Sequence, residues 1–184
     1  MRWQALFDDL EGQLAAAYAA ELAGEVADRT RREAALLRLV DRLRAAQGAV
    51  VAVSLPGAGS LRGRLLDAGA DWLLLDEGGG REVLVPLSAV LGISGLGSQT
   101  AAPDGGPVAK RLDLRWALRG LARSRSGVAL GLADGTLVTG TLDRVAQDHL
   151  DLAEHGLGEA RRAAVVRQVR VVPLSAVALV RSNG

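Results

Sequence analysis

The chain of 184 residues is 49% hydrophobic and carries a formal net charge of +1, so it can bury the core of one domain or of two small ones. It contains no cysteine, which excludes a disulfide framework and thiolate metal sites. Its apolar runs are far shorter than the roughly 20 residues of a membrane-spanning helix, and no export signal is visible at its start. We therefore expect a cytoplasmic protein without a membrane partner.

Residues 2–46 contain no proline and predict helix. Large apolar residues recur there at three- and four-residue spacing and make one stripe: Trp3, Leu6, Phe7, Leu10, Leu14 and Tyr18. Further along, Thr30 and Glu33 have the spacing of a capping box, which marks the start of a helix. We therefore predict an N-terminal helix that covers residues 1–29 and a break near residues 28–30. One continuous helix is the alternative. The second helix is expected to turn four residues inward: Leu36, Leu37, Val40 and Leu43.

From Ala49 the apolar period changes from 3.6 to 2, which predicts strands. Five short strands are separated by turn residues, and Gly78-Gly79-Gly80 is interpreted as a hairpin turn. The predicted strands cover residues 49–55, 61–65, 72–76, 82–86 and 91–94. Five short antiparallel strands with tight turns are typical of a small barrel, so residues 30–97 form the first predicted unit.

A segment rich in Gly and Pro, residues 98–108, is interpreted as a linker. The plan then repeats over residues 109–184, with a helix from Lys110 to Arg123 and five more strands. Those strands are predicted at residues 128–132, 138–143, 149–153, 165–173 and 179–181. The predicted fold is therefore mainly β with α: two tandem five-stranded small barrels, each preceded by a helix, plus an N-terminal helix.

The two units also match residue by residue. Leu61-Arg62-Gly63-Arg64-Leu65 corresponds to Val138-Thr139-Gly140-Thr141-Leu142, an offset of 77 residues from Leu61 to Val138. Val85-Pro86-Leu87-Ser88-Ala89-Val90 returns identically from Val172, an offset of 87 residues. The difference of ten residues indicates one insertion near residues 155–164, which extends the hairpin between the third and fourth strands of the second unit.

A helix followed by five strongly bent strands resembles the Sm fold of the LSm and Hfq superfamily. The resemblance rests on Gly63-x-Leu65 and Gly140-x-Leu142 in the second strand and on the apolar third strand. It rests also on Ser88-Ala89-Val90-Leu91-Gly92-Ile93, which is similar to the short turn and fifth strand of Hfq. It covers roughly residues 30–97 and 109–182 and implies two tandem, divergent Sm-like copies in a bacterial protein. Other small SH3-like barrels, including PRC barrels, are the alternative.

In that superfamily, strand four of one subunit pairs with strand five of the next. An open barrel edge is an unpaired row of N–H and C=O groups, and a tandem chain can satisfy one such edge internally. The resemblance therefore implies a homo-oligomer. Superfamily members bind uridine-rich RNA, but Leu87-Ser88 and Leu174-Ser175 stand where LSm proteins have Arg-Gly and Hfq has Lys-His. Neutral residues there cannot clamp a phosphate, so uridine binding of the family type is not expected.

Basic residues concentrate in the second unit, where residues 108–184 carry twelve basic and seven acidic side chains. Four arginines recur at every fourth position of its helix: Arg111, Arg115, Arg119 and Arg123. Four more crowd the insertion and the strand after it: Arg161, Arg162, Arg167 and Arg170. Arginine donates bidentate hydrogen bonds to phosphate, so both sets are predicted contacts to RNA or DNA. A solvated helix face and a charged edge strand are the alternatives.

Catalysis is not expected. His149 and His155 have no carboxylate cluster around them in sequence, and the repeated Ser88 and Ser175 have no neighbouring base. We therefore expect no enzyme, no cofactor, no metal and no small-molecule substrate. Trp72 occupies the same place in the first repeat as His149 in the second, and packing is its favoured role over base stacking.

Two functions follow from these features. The first is a nucleic-acid-associated, regulatory Sm-like protein, favoured by the fold and the basic second unit. The second is a protein-interaction or oligomerisation scaffold that has lost the RNA pocket. The missing pocket residues favour it, as does the acidic segment 47–107, which has three basic and six acidic side chains. The first function is preferred from sequence.

Overall fold

The structure, a computed structural model, describes residues 2–101, 112–158, 162 and 165–183. Within this part of the chain the helices are α1 (Arg2–Ala35), α2 (Leu39–Ala45) and α3 (Leu114–Ser124). The strands of the first repeat are β1 (Val50–Leu55), β2 (Gly59–Ala68), β3 (Trp72–Asp76), β4 (Arg81–Pro86) and β5 (Gly92–Ser94). Those of the second are β6 (Gly127–Leu132), β7 (Leu137–Val145), β8 (His149–Glu154), β9 (Gln168–Pro173) and β10 (Val177–Asn183). No helix in the described ranges is long and apolar enough to cross a bilayer.

Helix α1 lies in a compact unit of its own, residues 1–38, and runs without a break. The expected break near Thr30 is wrong, and the chain leaves helical geometry only at residues 36–38. The Thr30 hydroxyl donates to the Val26 carbonyl oxygen at 2.8 Å, and Glu33 pairs with Arg29 at 3.0 Å. Both side chains of the expected capping box therefore bond within a continuous helix instead of capping a new one.

The apolar residues of this N-terminal segment are largely uncovered. The large side chains of the α1 stripe are exposed at five positions: Trp3, Phe7, Leu10, Leu14 and Tyr18. Of the four residues expected to turn inward in the second helix, only Val40 and Leu43 are buried. Leu36 and Leu37 are exposed, because α2 begins only after them.

The second compact unit, residues 39–184, contains all ten strands in one antiparallel sheet. The strand order is β5-β1-β2-β3-β4-β10-β6-β7-β8-β9. Each repeat contributes its strands in the same spatial order, with its fifth strand beside its first. The order of strands therefore follows the duplication seen in the sequence.

The pairing register repeats as well. Val51 lies opposite Gly63 in the first repeat, and Val128 lies opposite Gly140 in the second. Val128 follows Val51 by 77 residues, and Gly140 follows Gly63 by the same number. The second strand of each repeat carries a bulge, after Leu65 in β2 and at the equivalent position of β7. Because bulges bend a strand and increase its twist, β2 and β7 are expected to bend at equivalent positions.

Glycine is required at the motif positions for a steric reason. A Cβ at Gly63 would lie 2.7 Å from the Asp76 carbonyl oxygen, and one at Gly140 would lie 2.0 Å from the Ala153 carbonyl oxygen. A side chain at either position would therefore collide with the backbone of the next strand.

The expected pair of tandem five-stranded barrels is not confirmed. The sheet is open and continuous, because the free edge of β4 in the first repeat pairs with β10 of the second. The cores interlock at the same place: Leu179 of β10 belongs to the core of the first repeat, and Trp72 and Leu84 belong to that of the second. The predicted linker is described only at residues 98–101, and its remainder lies outside the described residues.

Candidate functional site

The two repeats meet where β4 pairs with β10, and we call this strand pair the joint. Leu84 lies opposite Val180, and Val83 lies opposite Arg181. The Arg181 side chain also crosses the joint, because its Nε donates to Oε2 of Glu77 at 3.0 Å and its Nη2 to Oε1 at 3.2 Å. Backbone pairing, apolar contact and an ion pair therefore all hold the two repeats together.

Each of the two outer strands of the sheet, β5 and β9, pairs with only one other strand among the described residues. By the offset of 87 residues, β9 is equivalent to β4, and β5 is equivalent to part of β10. Val171 on β9 is 62% exposed, whereas its equivalent in the joint, Leu84, is 6% exposed. Leu91, next to β5, is 72% exposed, whereas its equivalent Ala178 is fully covered at 0%. The free edges therefore expose the positions that the joint covers.

The first repeat also holds the N-terminus of α3. The Asp71 carboxylate accepts from the Leu114 N–H at 2.7 Å, and the Trp72 indole Nε1–H donates to the Leu112 carbonyl oxygen at 2.9 Å. Trp72 is buried, as the packing interpretation predicts, so its ring is not available for base stacking.

Asp113 caps α3 from within the second repeat, where its Oδ1 accepts from the Trp116 N–H at 2.8 Å. Burial raises the pKa of Asp113, but the Trp116 hydrogen bond and the Arg115 guanidinium outweigh it and leave the pKa below its usual value. Asp113 is therefore held as a carboxylate, which suits the positive end of a helix.

The arginines predicted as a stripe on α3 have different environments. Arg115 is paired with Asp113 at 2.7 Å, and Arg119 donates through Nε to a β7 carbonyl oxygen at 3.4 Å. Arg123 is exposed, and Arg111 lies outside the described residues. The structure therefore places Arg119 and Arg123 on an exposed helix face and ties Arg115 to the helix cap.

The second predicted set surrounds the insertion. Arg162 and Arg167 are exposed, and Arg161 lies outside the described residues. Arg170 forms an ion pair with Glu154, and this hydrogen bond lowers the pKa of the Glu154 carboxyl. Arg170 is therefore already neutralised by an acid, while Arg162 and Arg167 face solvent.

A cleft of about 350 Å³ lies between α3 and the strands β3, β4 and β10. Its lining is mostly apolar and includes six large side chains: Trp72, Leu74, Leu84, Trp116, Leu121 and Val180. Trp116 stands at its wall and is 49% exposed. Two carboxylates, Asp67 and Glu82, also line the cleft.

The two histidines have local partners. His155 is buried, with Nε2 2.8 Å from the Thr141 hydroxyl and Nδ1 2.9 Å from the Gly156 carbonyl oxygen. His149 contacts Asp148 at 2.7 Å, and this hydrogen bond lowers the pKa of Asp148. Among the described residues no group of histidines and acids could hold a metal ion. The absence of catalysis stays a prediction.

No family model matches the chain, and no curated protein is significantly similar to it. The cleft was not predicted from the sequence, because its walls, helix α3 and the strands β3, β4 and β10, are brought together only by the fold, and no local pattern connects them.

Proposed function

We propose that the chain is a non-catalytic, self-assembling scaffold built from two divergent Sm-like small barrels, in which copies join by extending the sheet. One observation carries this function: the joint covers Leu84 and Ala178, while the free edges leave their equivalents Val171 and Leu91 exposed. An unpaired, apolar strand edge is a template for pairing with another chain. A second copy supplies the complementary edge.

The joint defines the expected register between copies. The offset of 87 residues makes Val171 on β9 equivalent to Leu84 on β4, and Ile93 on β5 equivalent to Val180 on β10. Because Leu84 lies opposite Val180 in the joint, Val171 of one copy is expected to lie opposite Ile93 of the next. The same operation places Arg170 of one copy opposite Ser94 of the next. The contact is head-to-tail, because β9 and β5 are different surfaces, so it closes a ring or continues as a filament.

The repeated strand order and register support the Sm-like interpretation of each repeat. Each repeat has a leading helix, a bulged second strand and a short 3₁₀ turn before its fifth strand, at Leu87–Ala89 and Leu174–Ala176. The joint itself pairs a fourth with a fifth strand, which is the pairing that the resemblance implies between subunits.

Cysteine cross-linking tests the register, because the natural chain has no cysteine. We expect the double variant Val171→Cys, Ile93→Cys to form disulfide-linked dimers and larger species under mild oxidation, since directly opposed strand positions suit a disulfide. The matched control, Val169→Cys with Ile93→Cys, is two residues out of register and is expected to cross-link much less.

Light scattering provides the second measurement. The parent chain is expected at a multiple of 19.1 kDa, and Val171→Arg is expected to shift the population toward smaller species. A monomer at millimolar concentration, or equal cross-linking by the two cysteine pairs, contradicts assembly through these edges.

A second candidate, nucleic-acid binding, is supported by four exposed arginines: Arg119, Arg123, Arg162 and Arg167. Within the described part of the chain none of the four is paired with an acidic side chain. Solvated guanidinium groups on one repeat are suited to phosphate contacts.

Titration with uridine-rich RNA, adenine-rich RNA and duplex DNA at two salt concentrations tests this candidate. Binding through Z phosphates weakens with salt at a log–log slope of about −0.7Z to −0.9Z. The variant Arg119→Ala, Arg123→Ala is expected to flatten that slope by roughly one unit per lost contact. A matched pair on α1, Arg29→Ala with Arg31→Ala, is expected to leave it unchanged. Absence of binding at low salt rejects this candidate.

A further inference from the structure

The cleft between α3 and the first repeat combines a wide apolar surface with two acids. Its volume of about 350 Å³ falls at the lower end of the range of small-molecule sites, roughly 300–1,000 Å³. Trp72 and Leu84 are buried, while Trp116 keeps 49% of its surface exposed. A tryptophan half exposed beside an apolar cleft is the kind of residue that dominates binding when a partner covers it.

The acids give the cleft a charge preference. Asp67 accepts from the Gln47 side-chain amide and from the Ala68 N–H, neither of which is a cation. In the part of the chain that the structure describes, neither Asp67 nor Glu82 is paired with an arginine or lysine. Two carboxylates without a cationic partner repel phosphate and favour a positive group.

We infer that this cleft is a docking site for a basic, amphipathic peptide segment of a partner protein. The apolar side chains of the segment fill the space beside Leu84, and an arginine or lysine lies over the Trp116 ring, with Glu82 and Asp67 as its counter-charges. Cation–π contact and opposite charge both favour that arrangement. The aliphatic stem of the basic side chain suits the apolar wall while its head reaches the acids.

A different protein fits the cleft better than a second copy of this chain. The exposed apolar stripe of α1 is the obvious candidate from a second copy, but it carries Asp8, Asp9 and Glu11 between its large apolar residues. Seating that stripe would bring acids against Asp67 and Glu82. The docking site is also separate from the free edges β5 and β9, so it does not depend on assembly.

The probes are two synthetic twelve-residue peptides with the same amphipathic helical pattern. One contains leucine and arginine, and the other contains leucine and glutamine. Calorimetric titration of the full chain is expected to show binding of the arginine peptide and roughly fivefold weaker binding of the glutamine peptide. Trp116→Ala, which removes the cation–π contact, and Glu82→Gln, which removes a counter-charge, are each expected to weaken binding of the arginine peptide by up to about fivefold. Both residues are exposed, and unchanged thermal unfolding checks that each variant is folded.

Matched control variants on α1, Trp3→Ala and Glu25→Gln, are expected to bind as the parent does, and so is the assembly variant Val171→Arg. Equal affinity of the two peptides overturns the inference. An affinity for the arginine peptide that neither Trp116→Ala nor Glu82→Gln changes also overturns it. Binding of a single-stranded RNA that is lost in Trp116→Ala would assign the cleft to nucleic acid and also overturn it.

Discussion

Glu77 and Arg181, 104 positions apart in the chain, form an ion pair through two hydrogen bonds of 3.0 and 3.2 Å. Glu77 follows β3 of the first repeat, and Arg181 lies on β10 of the second, so the pair spans the joint. The equivalent of Glu77 in the second repeat, Glu154, pairs with Arg170 on its own side, and the equivalent of Arg181 is Ser94. This ion pair therefore belongs to the internal joint and is not expected between copies.

Replacing Arg181 with methionine is expected to lower the free energy of unfolding by about 1–3 kcal/mol, because it leaves the mostly covered Glu77 carboxylate without its donor. Urea denaturation measures this change. The exposed pair Arg29–Glu33 on α1 is the comparison, and Arg29→Met is expected to change stability by about 0.5 kcal/mol or less. Equal effects of the two substitutions would show that the joint does not depend on this ion pair.

Thr141→Val is expected to destabilise the protein by about 1–3 kcal/mol, since it leaves a buried ring nitrogen of His155 without a hydrogen-bond partner. The Gly156 carbonyl oxygen only accepts, so Nδ1 donates to it, and Nε2 is the ring nitrogen that pairs with the Thr141 hydroxyl. Thr141→Ser keeps the hydroxyl and is expected to be much milder. Thermal and urea unfolding of both variants check this, and a loss from Thr141→Val no larger than that from Thr141→Ser would contradict the role of the hydroxyl.

Local patterns predicted most strands of the fold, because alternation and turn residues are properties of a few neighbouring residues. The repeat offset made Gly63 and Gly140 equivalent positions, and the structure gives them equivalent pairing partners, Val51 and Val128. The capping box at Thr30 failed because the same side chain can bond back to Val26 inside a helix. The sequence predicted that a tandem chain can pair one barrel edge internally, and the pairing of β4 with β10 is such a contact. The continuous ten-stranded sheet that results from it was not predicted.

The candidate sites were less predictable than the strands. Arginine spacing locates a stripe on α3, but it does not reveal that Arg115 is bound to Asp113. The cleft at Trp116 depends on two segments brought together across the joint, and no spacing within either segment encodes it. Sites built between repeats therefore require the structure, whereas spacing within one element predicts where side chains lie but not which partners they bind.

Gly140→Ala is expected to destabilise the protein by about 3 kcal/mol, because the new Cβ would lie 2.0 Å from the Ala153 carbonyl oxygen. Gly63→Ala, with its closest contact at 2.7 Å, is expected to cost less. Gly127→Ala is the matched control, since a Cβ there meets nothing within 4 Å. Urea denaturation should rank the three variants in that order, and a tolerated Gly140→Ala would mean that β7 and β8 can separate freely.

Glu154→Gln is expected to reduce stability near neutral pH and to lose its effect in acid. The Arg170 hydrogen bond, with a second from Gln168, lowers the pKa of Glu154 in the folded protein. A carboxyl whose folded pKa is below its unfolded value of about 4.3 stabilises the fold above that pH, and the contribution disappears as pH falls through the folded pKa. Urea denaturation at pH 7 and at steps below pH 5 should show the curves of parent and variant converging in acid. Arg170→Met removes the cause of the shift and is expected to flatten the same pH dependence, whereas a constant difference between parent and Glu154→Gln at every pH would contradict the assignment.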